Sequence, residues 1–367
     1  MSTPTSLDLP AGVRRTTIRT SRGSFAALEA IPPSGVCERE AALLVPGYTG
    51  SKEDFLSVMD LLADGRRHVV AVDMRGQFET SGAGDARGHS AAALGADILA
   101  IMHTTGARHL VGHSYGGLIA REAVLARGAV LARGDSFPAR GTPAPRSPRP
   151  PQTPPDPGGT HPPGPPFGGP AAPPGRRTPA GPPGRRTPAI TSLTLMSSGP
   201  GALTGPRAEE LRSMLAALGV TDGGTPPAAA LRAGIFELWR GHLEPQFLAA
   251  GVPGPIVAFL ARRMFGNDPN GLVLMARHLL GAPDRTAELA RLRRLPVLVI
   301  YGENDDAWSP AVQQAMARRL GARRLCIPAA AHSPAVEAPA TTASALTRFW
   351  DAAETTPAQP SAVTGTA

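Results

Sequence analysis

The sequence predicts an α/β fold, in which a mostly parallel central sheet of about eight strands is covered by helices on both faces. Two observations in the 367 residues support this prediction. Short runs of consecutive apolar residues recur along the chain, as expected for strands that are buried on both faces. Segments with apolar residues at helical spacing separate these runs, and such alternation favours parallel strands joined by covering helices.

The first part of the predicted core comprises residues 13–132. Residues 13–20 and 24–30 alternate in polarity, which predicts two antiparallel strands joined by a tight turn. Buried strands are predicted at residues 41–46, 68–73 and 108–113. Helices are predicted from Ser51, over residues 90–104, and after Ser114 to Arg127.

The second part of the core surrounds a run of helices. Residues 190–202 contain a core strand, and residues 295–353 contain two further strands and two helices. Between them, residues 203–294 predict five helices, each beginning near a proline, which a first helical turn tolerates. A run of helices that interrupts the strand–helix alternation predicts a helical lid over the carboxyl edge of the sheet. Flexible ends are predicted at residues 1–12 and 354–367.

One segment, residues 133–189, departs from this pattern. It holds 20 of the 41 prolines and hardly any large apolar residue, and it ends in two copies of Pro-Pro-Gly-Arg-Arg-Thr-Pro-Ala. Such a segment cannot bury enough apolar surface to offset its ordering entropy, so a disordered insertion with polyproline II character is predicted. A weak partner such as an SH3-like domain or an acidic polymer could bind it, but an incidental insertion is favoured.

Residues 112–116, Gly-His-Ser-Tyr-Gly, form a G-x-S-x-G pentapeptide between a predicted strand and a predicted helix. In this kind of turn the serine adopts strained backbone angles, and a Cβ at Gly112 or Gly116 would collide with the turning backbone. Ser114 would then present its hydroxyl beyond the carboxyl end of a buried strand. The alternative is a plain glycine turn, which the pentapeptide alone does not exclude.

A serine nucleophile needs a histidine base and a carboxylate that orients the histidine. Asp305 follows the apolar strand that ends at Tyr301, and His332 follows the next predicted strand. Taken singly, such an Asp is usually a turn residue and such a His a solvated surface group. The order Ser114, Asp305, His332 matches one known arrangement of a triad, so these three are the predicted catalytic residues.

With these motifs the chain resembles the α/β-hydrolase superfamily, in the form of a serine hydrolase with a helical lid domain. The resemblance covers nearly everything except residues 133–189 and the two ends. Within it, Gly302-Glu-Asn-Asp305 matches the family's G-x-x-D motif, which favours Asp305 over neighbouring Asp306 as the acid.

The resemblance also implies an oxyanion hole made by the backbone N–H groups of Tyr48 and Tyr115. The family usually has His-Gly just before the first of these residues, whereas this chain has Pro46-Gly47. A second departure is Gln77-Phe78, because His and Gly often follow the preceding Arg-Gly. That loop is predicted to be structural, with Arg75 tying neighbouring loops together.

The net charge of +8 is concentrated in residues 133–189, which hold eight arginines against two acids. The rest of the chain is therefore not strongly basic, and the segment has only Phe137 and Phe167 for base stacking, so no nucleic-acid partner is expected. No signal peptide and no apolar run of membrane-spanning length is visible, which predicts a cytoplasmic protein without a membrane partner.

No metal-spaced His/Cys cluster and no P-loop is present in the sequence, so neither a metal nor an organic cofactor is expected. The two cysteines, Cys37 and Cys326, lie in apolar surroundings far apart in the chain. They are predicted to be buried free thiols rather than a disulfide.

The predicted function is a serine hydrolase that cleaves a carboxylic ester, lactone or thioester of a small apolar substrate through an acyl-enzyme on Ser114. Phe236, Trp239 and Phe259 of the predicted lid are candidates to line its pocket, although packing of the lid on the core also explains each of them. Two alternatives stay open: a lyase or carbon–carbon bond hydrolase that uses the same triad, and a small-molecule receptor with vestigial hydrolysis. The sequence specifies neither the substrate nor the oligomeric state.

Overall fold

The computed structural model describes residues 2–83, 86–132 and 189–355, so the predicted insertion lies outside the described residues except for Ala189. Its strands are β1 (Val13–Thr20), β2 (Gly23–Ala30), β3 (Arg39–Val45), β4 (Arg67–Val72), β5 (His109–His113), β6 (Ser192–Met196), β7 (Val297–Gly302) and β8 (Arg323–Ile327). They form one sheet in the order β1-β2-β4-β3-β5-β6-β7-β8. β2 pairs antiparallel with both β1 and β4, whereas the other neighbours are parallel. The predicted eight-stranded, mostly parallel sheet is confirmed.

Helices connect the strands and cover both faces of the sheet. In chain order they are α1 (Leu56–Ala63), α2 (Ala91–Thr105), α3 (Tyr115–Ala132), α4 (Pro206–Ala217), α5 (Ala228–Leu238), α6 (Glu244–Ala249), α7 (Gly254–Gly266), α8 (Pro269–Gly281), α9 (Thr286–Ala290), α10 (Pro310–Leu320), α11 (Pro334–Glu337) and α12 (Pro339–Thr355). Lys52–Phe55 and Ala86–His89 are short 3₁₀ turns, and Trp239–Leu243 is a π-helical turn. Within the described parts of the chain, no helix is long and apolar enough to cross a membrane.

The helices between β6 and β7 number six rather than the five predicted, because α6 was not expected. The π-helical turn continues α5 directly into α6, and Pro245 stands in the first turn of α6. A proline in that position needs no backbone hydrogen bond, so it does not interrupt the run.

The continuous apolar strands supply two separate cores, one on each face of the sheet. In β3, Leu43 and Val45 join the cluster that α2 and α3 cover, whereas Ala42 and Leu44 join the cluster that α1 and α12 cover. Successive side chains of a strand point to opposite faces, so a strand covered on both sides must be apolar throughout. For this reason these strands appear in the sequence as continuous apolar runs rather than as alternating apolar and polar residues.

The parallel register brings the carboxyl ends of the central strands to one edge of the sheet. Val45 of β3 lies beside Gly112 of β5, and His113 of β5 lies beside Met196 of β6. The loops that follow β3, β5, β6, β7 and β8 therefore leave from the same edge, where binding sites of open α/β sheets are found.

Three details differ from the expectations. Residues 1–12 are predicted to be flexible, but Ser2 is buried and its Oγ lies 2.8 Å from Oγ of Ser333. Both cysteines are exposed rather than buried, since Cys326 lies on β8 at the edge of the sheet and Cys37 precedes β3 in a loop. The predicted flexible tail begins inside α12, which extends to Thr355, and residues 356–367 lie outside the described residues.

Candidate active site

Ser114 occupies the sharp turn between β5 and α3. Its φ is 53°, a left-handed backbone conformation that residues other than glycine rarely adopt. Its N–H donates to the Met196 carbonyl at 2.8 Å, which ties the turn to the end of β6. A Cβ on Gly112 would meet the backbone of Gly116, and a Cβ on Gly116 would meet the Pro46 carbonyl. The two glycines therefore allow the close approach that this turn requires.

His332, in the loop after β8, lies between Ser114 and Asp305. Its Nε2 is 2.9 Å from Oγ of Ser114, and its Nδ1 is 2.9 Å from Oδ1 of Asp305. Because a carboxylate only accepts hydrogen bonds, Nδ1 carries the ring proton and Nε2 is left to accept from the serine hydroxyl. The structure thus joins the three predicted residues by hydrogen bonds, and we call them the candidate triad.

Asp305, in the loop after β7, is held by several donors. Its Oδ1 also accepts from the backbone N–H of Ala307 at 3.1 Å, and its Oδ2 accepts from Nε2 of Gln313 at 2.8 Å. Burial alone raises the pKa of this carboxyl, but the hydrogen bonds from His332, Gln313 and Ala307, with the charge of His332, hold the pKa below its ordinary value. The carboxylate is therefore ionised at neutral pH and fixed in orientation.

The sequence carries no signal for Gln313, which is buried in α10 and also donates to the Trp308 carbonyl at 2.7 Å. A glutamine in a helix has no motif, and only its contacts identify it. Asp306, the other candidate acid, is half exposed and pairs with Arg207 of α4 at 2.7 Å. The neighbouring carboxylates therefore have different partners, and only Asp305 reaches His332.

His113, the residue before Ser114, also contacts the candidate triad. Its Nε2 is 2.7 Å from the backbone carbonyl of His332 and therefore donates to it, since a carbonyl only accepts. Burial lowers the pKa of His113 to about 3, and the neighbouring His332 ring adds to this effect. A neutral His113 holds the loop that carries His332. The pentapeptide motif leaves this position variable, so the sequence carried no signal for the hydrogen bond.

The turn after β3 brings Gly47 and Tyr48 next to Ser114. A Cβ on Gly47 would lie 3.0 Å from Cβ of Ser114 and 3.4 Å from its Oγ, so a glycine suits this close approach. No backbone carbonyl of the described residues accepts from the Tyr48 N–H. The Tyr115 N–H belongs to the first turn of α3, where amides have no partner within the helix. These are the two amides that were predicted for the oxyanion hole.

A buried charge cluster connects this turn to the loop after β4. Nζ of Lys52, the only lysine in the sequence, lies 2.8 Å from Asp73, 2.7 Å from Glu79 and 3.2 Å from Glu53. The backbone N–H of Lys52 also donates to Asp73 at 2.8 Å. Burial lowers the pKa of Lys52, but the charges of Asp73 and Glu53 raise it by more, so the lysine stays protonated. The cluster restrains the chain just beyond Tyr48.

The loop after β4 has the structural role that was predicted for it. Nε of Arg75 is 2.7 Å from Asp97 of α2, and its Nη2 donates to the Arg22 carbonyl at 2.8 Å. Arg75 therefore ties the β1–β2 turn and α2 to this loop, as expected.

The three aromatic residues predicted to line the pocket lie together among the helices between β6 and β7. Trp239 and Phe259 are buried in one apolar cluster, which packs against Tyr48. The ring of Phe236 packs at a tilt against that of Phe265, with 5.6 Å between the ring centroids, and Phe236 is 45% exposed. The cluster thus reaches the turn beside Ser114 through Tyr48, and two of the three aromatic side chains also pack the helices together.

A second polar cluster, at the amino ends of the strands, has the residue types of a metal site. Glu40, His109 and Glu354 offer ligand atoms within 4.8 Å of one another. However, Glu40 pairs with Arg108 at 2.6 Å and Glu354 with Arg67 at 2.6 Å. Two guanidinium groups beside the carboxylates make the cluster a network of ion pairs that disfavours a cation.

Comparison with known proteins finds a family profile and a curated relative that match this chain. Residues 42–345 match the sequence profile described as "Alpha/beta hydrolase family". A curated protein of Variovorax paradoxus (strain S110), named as a candidate carbamate hydrolase RutD, is 33% identical to this chain over 93 residues. That match covers 25% of this chain and only 35% of the relative's length.

Solved structures resemble the whole fold at low sequence identity. A crystal structure described as a lipase candidate from Acinetobacter baumannii AYE has a TM-score of 0.60 at 17% identity, covering 95% of this chain and 94% of the other. A thermophilic esterase from Thermogutta terrifontis has a TM-score of 0.55 at 19% identity, over 93% and 100%. An enol-lactonase from Burkholderia xenovorans LB400 has a TM-score of 0.56 at 16% identity, over 92% and 100%. At these identities the likeness establishes the fold alone.

Proposed function

We propose that this chain, which belongs to the alpha/beta hydrolase family, is a serine hydrolase that cleaves a carboxylic ester, lactone or thioester of a small apolar substrate. The observation that carries the proposal is the hydrogen-bond chain of the candidate triad, with both His332 contacts at 2.9 Å. The left-handed backbone of Ser114 supports it, because a serine in this kind of turn projects its hydroxyl beyond the carboxyl end of the preceding strand, here β5.

The reaction begins with proton transfer from the Ser114 hydroxyl to Nε2 of His332 as Oγ attacks the acyl carbon. The ionised Asp305 holds the Nδ1 proton and stabilises the imidazolium that forms. The N–H groups of Tyr48 and Tyr115 donate to the oxygen that becomes negative in the tetrahedral intermediate.

Collapse of this intermediate breaks the bond to the leaving group, which takes the proton from Nε2 of His332. Ser114 then carries the acyl group as an ester. His332 next takes a proton from water, whose oxygen attacks the acyl carbon, and the acid product leaves as Ser114 Oγ regains a proton from His332.

The helices α4 to α9 form the lid of the proposed enzyme. Trp239 and Phe259 support a small apolar substrate, because their cluster packs against Tyr48 beside Ser114. Phe236, which is half exposed, is proposed for the outer part of the pocket.

The test is a substrate panel of activated aryl esters, lactones, thioesters and a carbamate, the last prompted by the name of the Variovorax relative. We expect turnover of at least one acyl substrate and covalent labelling of Ser114 by a fluorophosphonate. Ser114→Ala abolishes both, whereas the exposed matched variant Ser213→Ala keeps both. Turnover that persists in Ser114→Ala would refute the proposal. A protein that resists the probe and turns over no substrate, yet binds a ligand, would instead be a receptor.

A further inference from the structure

Gln77, in the loop after β4, is fully buried and uses both ends of its side-chain amide. Nε2 donates to the Gly47 carbonyl at 2.8 Å, and Oε1 accepts from the Met74 N–H at 3.0 Å. The partners settle which end is which, because a carbonyl needs a donor and a backbone N–H needs an acceptor. The side chain therefore bridges its own loop to the turn after β3.

The contact with Gly47 fixes the orientation of a whole peptide group. The Gly47–Tyr48 peptide bond is trans, so its C=O and its N–H point in opposite directions. The Gly47 carbonyl also accepts from the Gly50 N–H at 3.1 Å. With the carbonyl held by Gly50 and Gln77, the Tyr48 N–H is directed to the other side of the peptide.

The same peptide adjoins Ser114, since a Cβ on Gly47 would lie 3.0 Å from Cβ of Ser114. A rotation of this peptide would replace the Tyr48 N–H by the Gly47 carbonyl, and a carbonyl oxygen repels an oxyanion. Glycine has no Cβ to oppose that rotation, so a hydrogen bond must hold the peptide. Among the side chains that the structure describes, Gln77 is the one that donates to the Gly47 carbonyl.

We propose that Gln77 is a positioning residue that directs the Tyr48 N–H toward the oxyanion of the reaction. The inference rests on the proposed function, since it assigns a role within that mechanism. Gln77 stands at one of the two departures from the usual family sequence, and the Gly47 carbonyl that it contacts directly follows the other, Pro46. Its side chain links the segments that contain the two departures.

The kinetic test compares Gln77→Met, which keeps the length but loses the donor, with Gln77→Glu, which places a carboxylate against the carbonyl. Loss of one oxyanion donor costs about 10²–10³ in kcat, so we expect its misorientation to lower kcat by about 10–100-fold. KM should change by less than about threefold, because the contact acts in the transition state. Gln314→Met, at a partly buried position of α10 outside the lid, is the matched control and should retain kcat.

A spectroscopic test reads the Tyr48 amide directly. The sequence has three tyrosines, so selective ¹⁵N-tyrosine labelling gives three backbone amide signals, assigned by Tyr→Phe variants. Phosphonylation of Ser114 places the polarised phosphoryl oxygen, which carries a partial negative charge, where the oxyanion forms. In the natural sequence the signals of Tyr48 and Tyr115 should shift on phosphonylation and that of Tyr301 should not. In Gln77→Met the Tyr115 shift persists and the Tyr48 shift is lost.

The outcomes separate the two proposals. If the unaltered protein is active and Gln77→Met and Gln77→Glu retain its kcat and the Tyr48 shift, the role of Gln77 is refuted and the proposed function stands. If the unaltered protein neither turns over an ester nor reacts with the fluorophosphonate, the proposed function fails. The free-protein spectra then decide about Gln77: a Tyr48 signal at the same position in Gln77→Met refutes the orienting contact, and a shift confined to Tyr48 supports it.

Discussion

Two hydrogen-bonded chains of a serine, a histidine and a carboxylate lie at opposite ends of β5. The candidate triad is at the carboxyl end. At the amino end, Nδ1 of His109 is 2.8 Å from Oγ of Ser192, and Nε2 of His109 is 3.0 Å from Glu354. We call these three residues the amino-end triplet. Distances alone do not distinguish the two groups.

The surroundings of the candidate triad and of the amino-end triplet distinguish the two groups. Ser192 lies in β6 and is fully buried, whereas Ser114 lies in a strained left-handed turn, is 8% exposed, and adjoins the two amides that we propose as oxyanion donors. His109 is fully buried and stacks on Trp350 at 5.4 Å, whereas the His332 side chain is 26% exposed. A nucleophile therefore needs access to substrate and donors for the developing charge, in addition to a base.

The sharpest test of this difference replaces each serine by alanine. Ser114→Ala should lower kcat by about 10⁴–10⁶, since the nucleophile and its base act as a unit. Ser192→Ala should leave kcat within about twofold but cost about 1–3 kcal/mol of unfolding free energy, because Nδ1 of His109 loses its buried partner. Steady-state kinetics and urea unfolding measure the two effects. A large loss of kcat in Ser192→Ala with native stability would give the amino-end triplet a catalytic role.

The acids provide the next contrast. Asp305→Asn should lower kcat by about 10³–10⁴, because an amide in place of the carboxylate favours the wrong tautomer of His332. Asp306→Asn is the matched control and should keep kcat, since Asp306 pairs with Arg207. Glu354→Gln should also keep kcat while lowering the melting temperature, because buried Arg67 loses a charged partner. Equal losses of kcat in the two aspartate variants would contradict the assignment of Asp305.

A smaller effect concerns pH. Burial lowers the pKa of His109 to about 4, against the opposing effect of the hydrogen bond that the ring donates to Glu354. The unfolded histidine has a pKa of about 6.5, so between these values only the unfolded chain binds the proton. The contribution of His109 to the free energy of unfolding is therefore constant above pH 6.5. It falls by about 1.4 kcal/mol per pH unit as the pH decreases toward 4.

Urea unfolding at several pH values between 4 and 6.5 measures how steeply the free energy of unfolding depends on pH. His109→Gln should reduce this slope by about 1.4 kcal/mol per pH unit. His113 at the carboxyl end keeps part of the slope, because its pKa is also lowered, to about 3. A slope in His109→Gln equal to that of the unaltered protein would mean that His109 is protonated in both states.

The smallest effect is expected from replacing residues 133–188 by a flexible Gly/Ser linker. Their few large apolar residues predict no contribution to a core, so the melting temperature should shift by less than about 2 °C and kcat should be retained. The flanking Ala189 carbonyl accepts from Arg108 at 3.1 Å, close to the amino-end triplet, and stays in place. A large loss of stability would show that the segment packs on the amino end of the sheet.

Much of the fold and of the site followed from the sequence, because those features depend on neighbouring residues. The apolar strands, the turn at Ser114 and the positions of Asp305 and His332 after strands are all local patterns. Gln313 and α6 carried no such signal, and Gln77 was visible only as a departure from the usual family sequence. The role of each glutamine depends on the carbonyl or carboxylate that folding places beside it. The helix α6 depends on a π-helical turn that continues α5.

By itself the sequence determined that this is an α/β chain with a serine turn followed by an acid and a histidine. Apolar periodicity, glycine positions and chain order contain that much. Only the tertiary structure placed Nε2 of His332 within hydrogen-bond distance of Ser114 Oγ, and only it decided which peptide lies beside Ser114. That contact joins residues 218 positions apart, and it depends on the order and register of the strands, to which the whole core contributes.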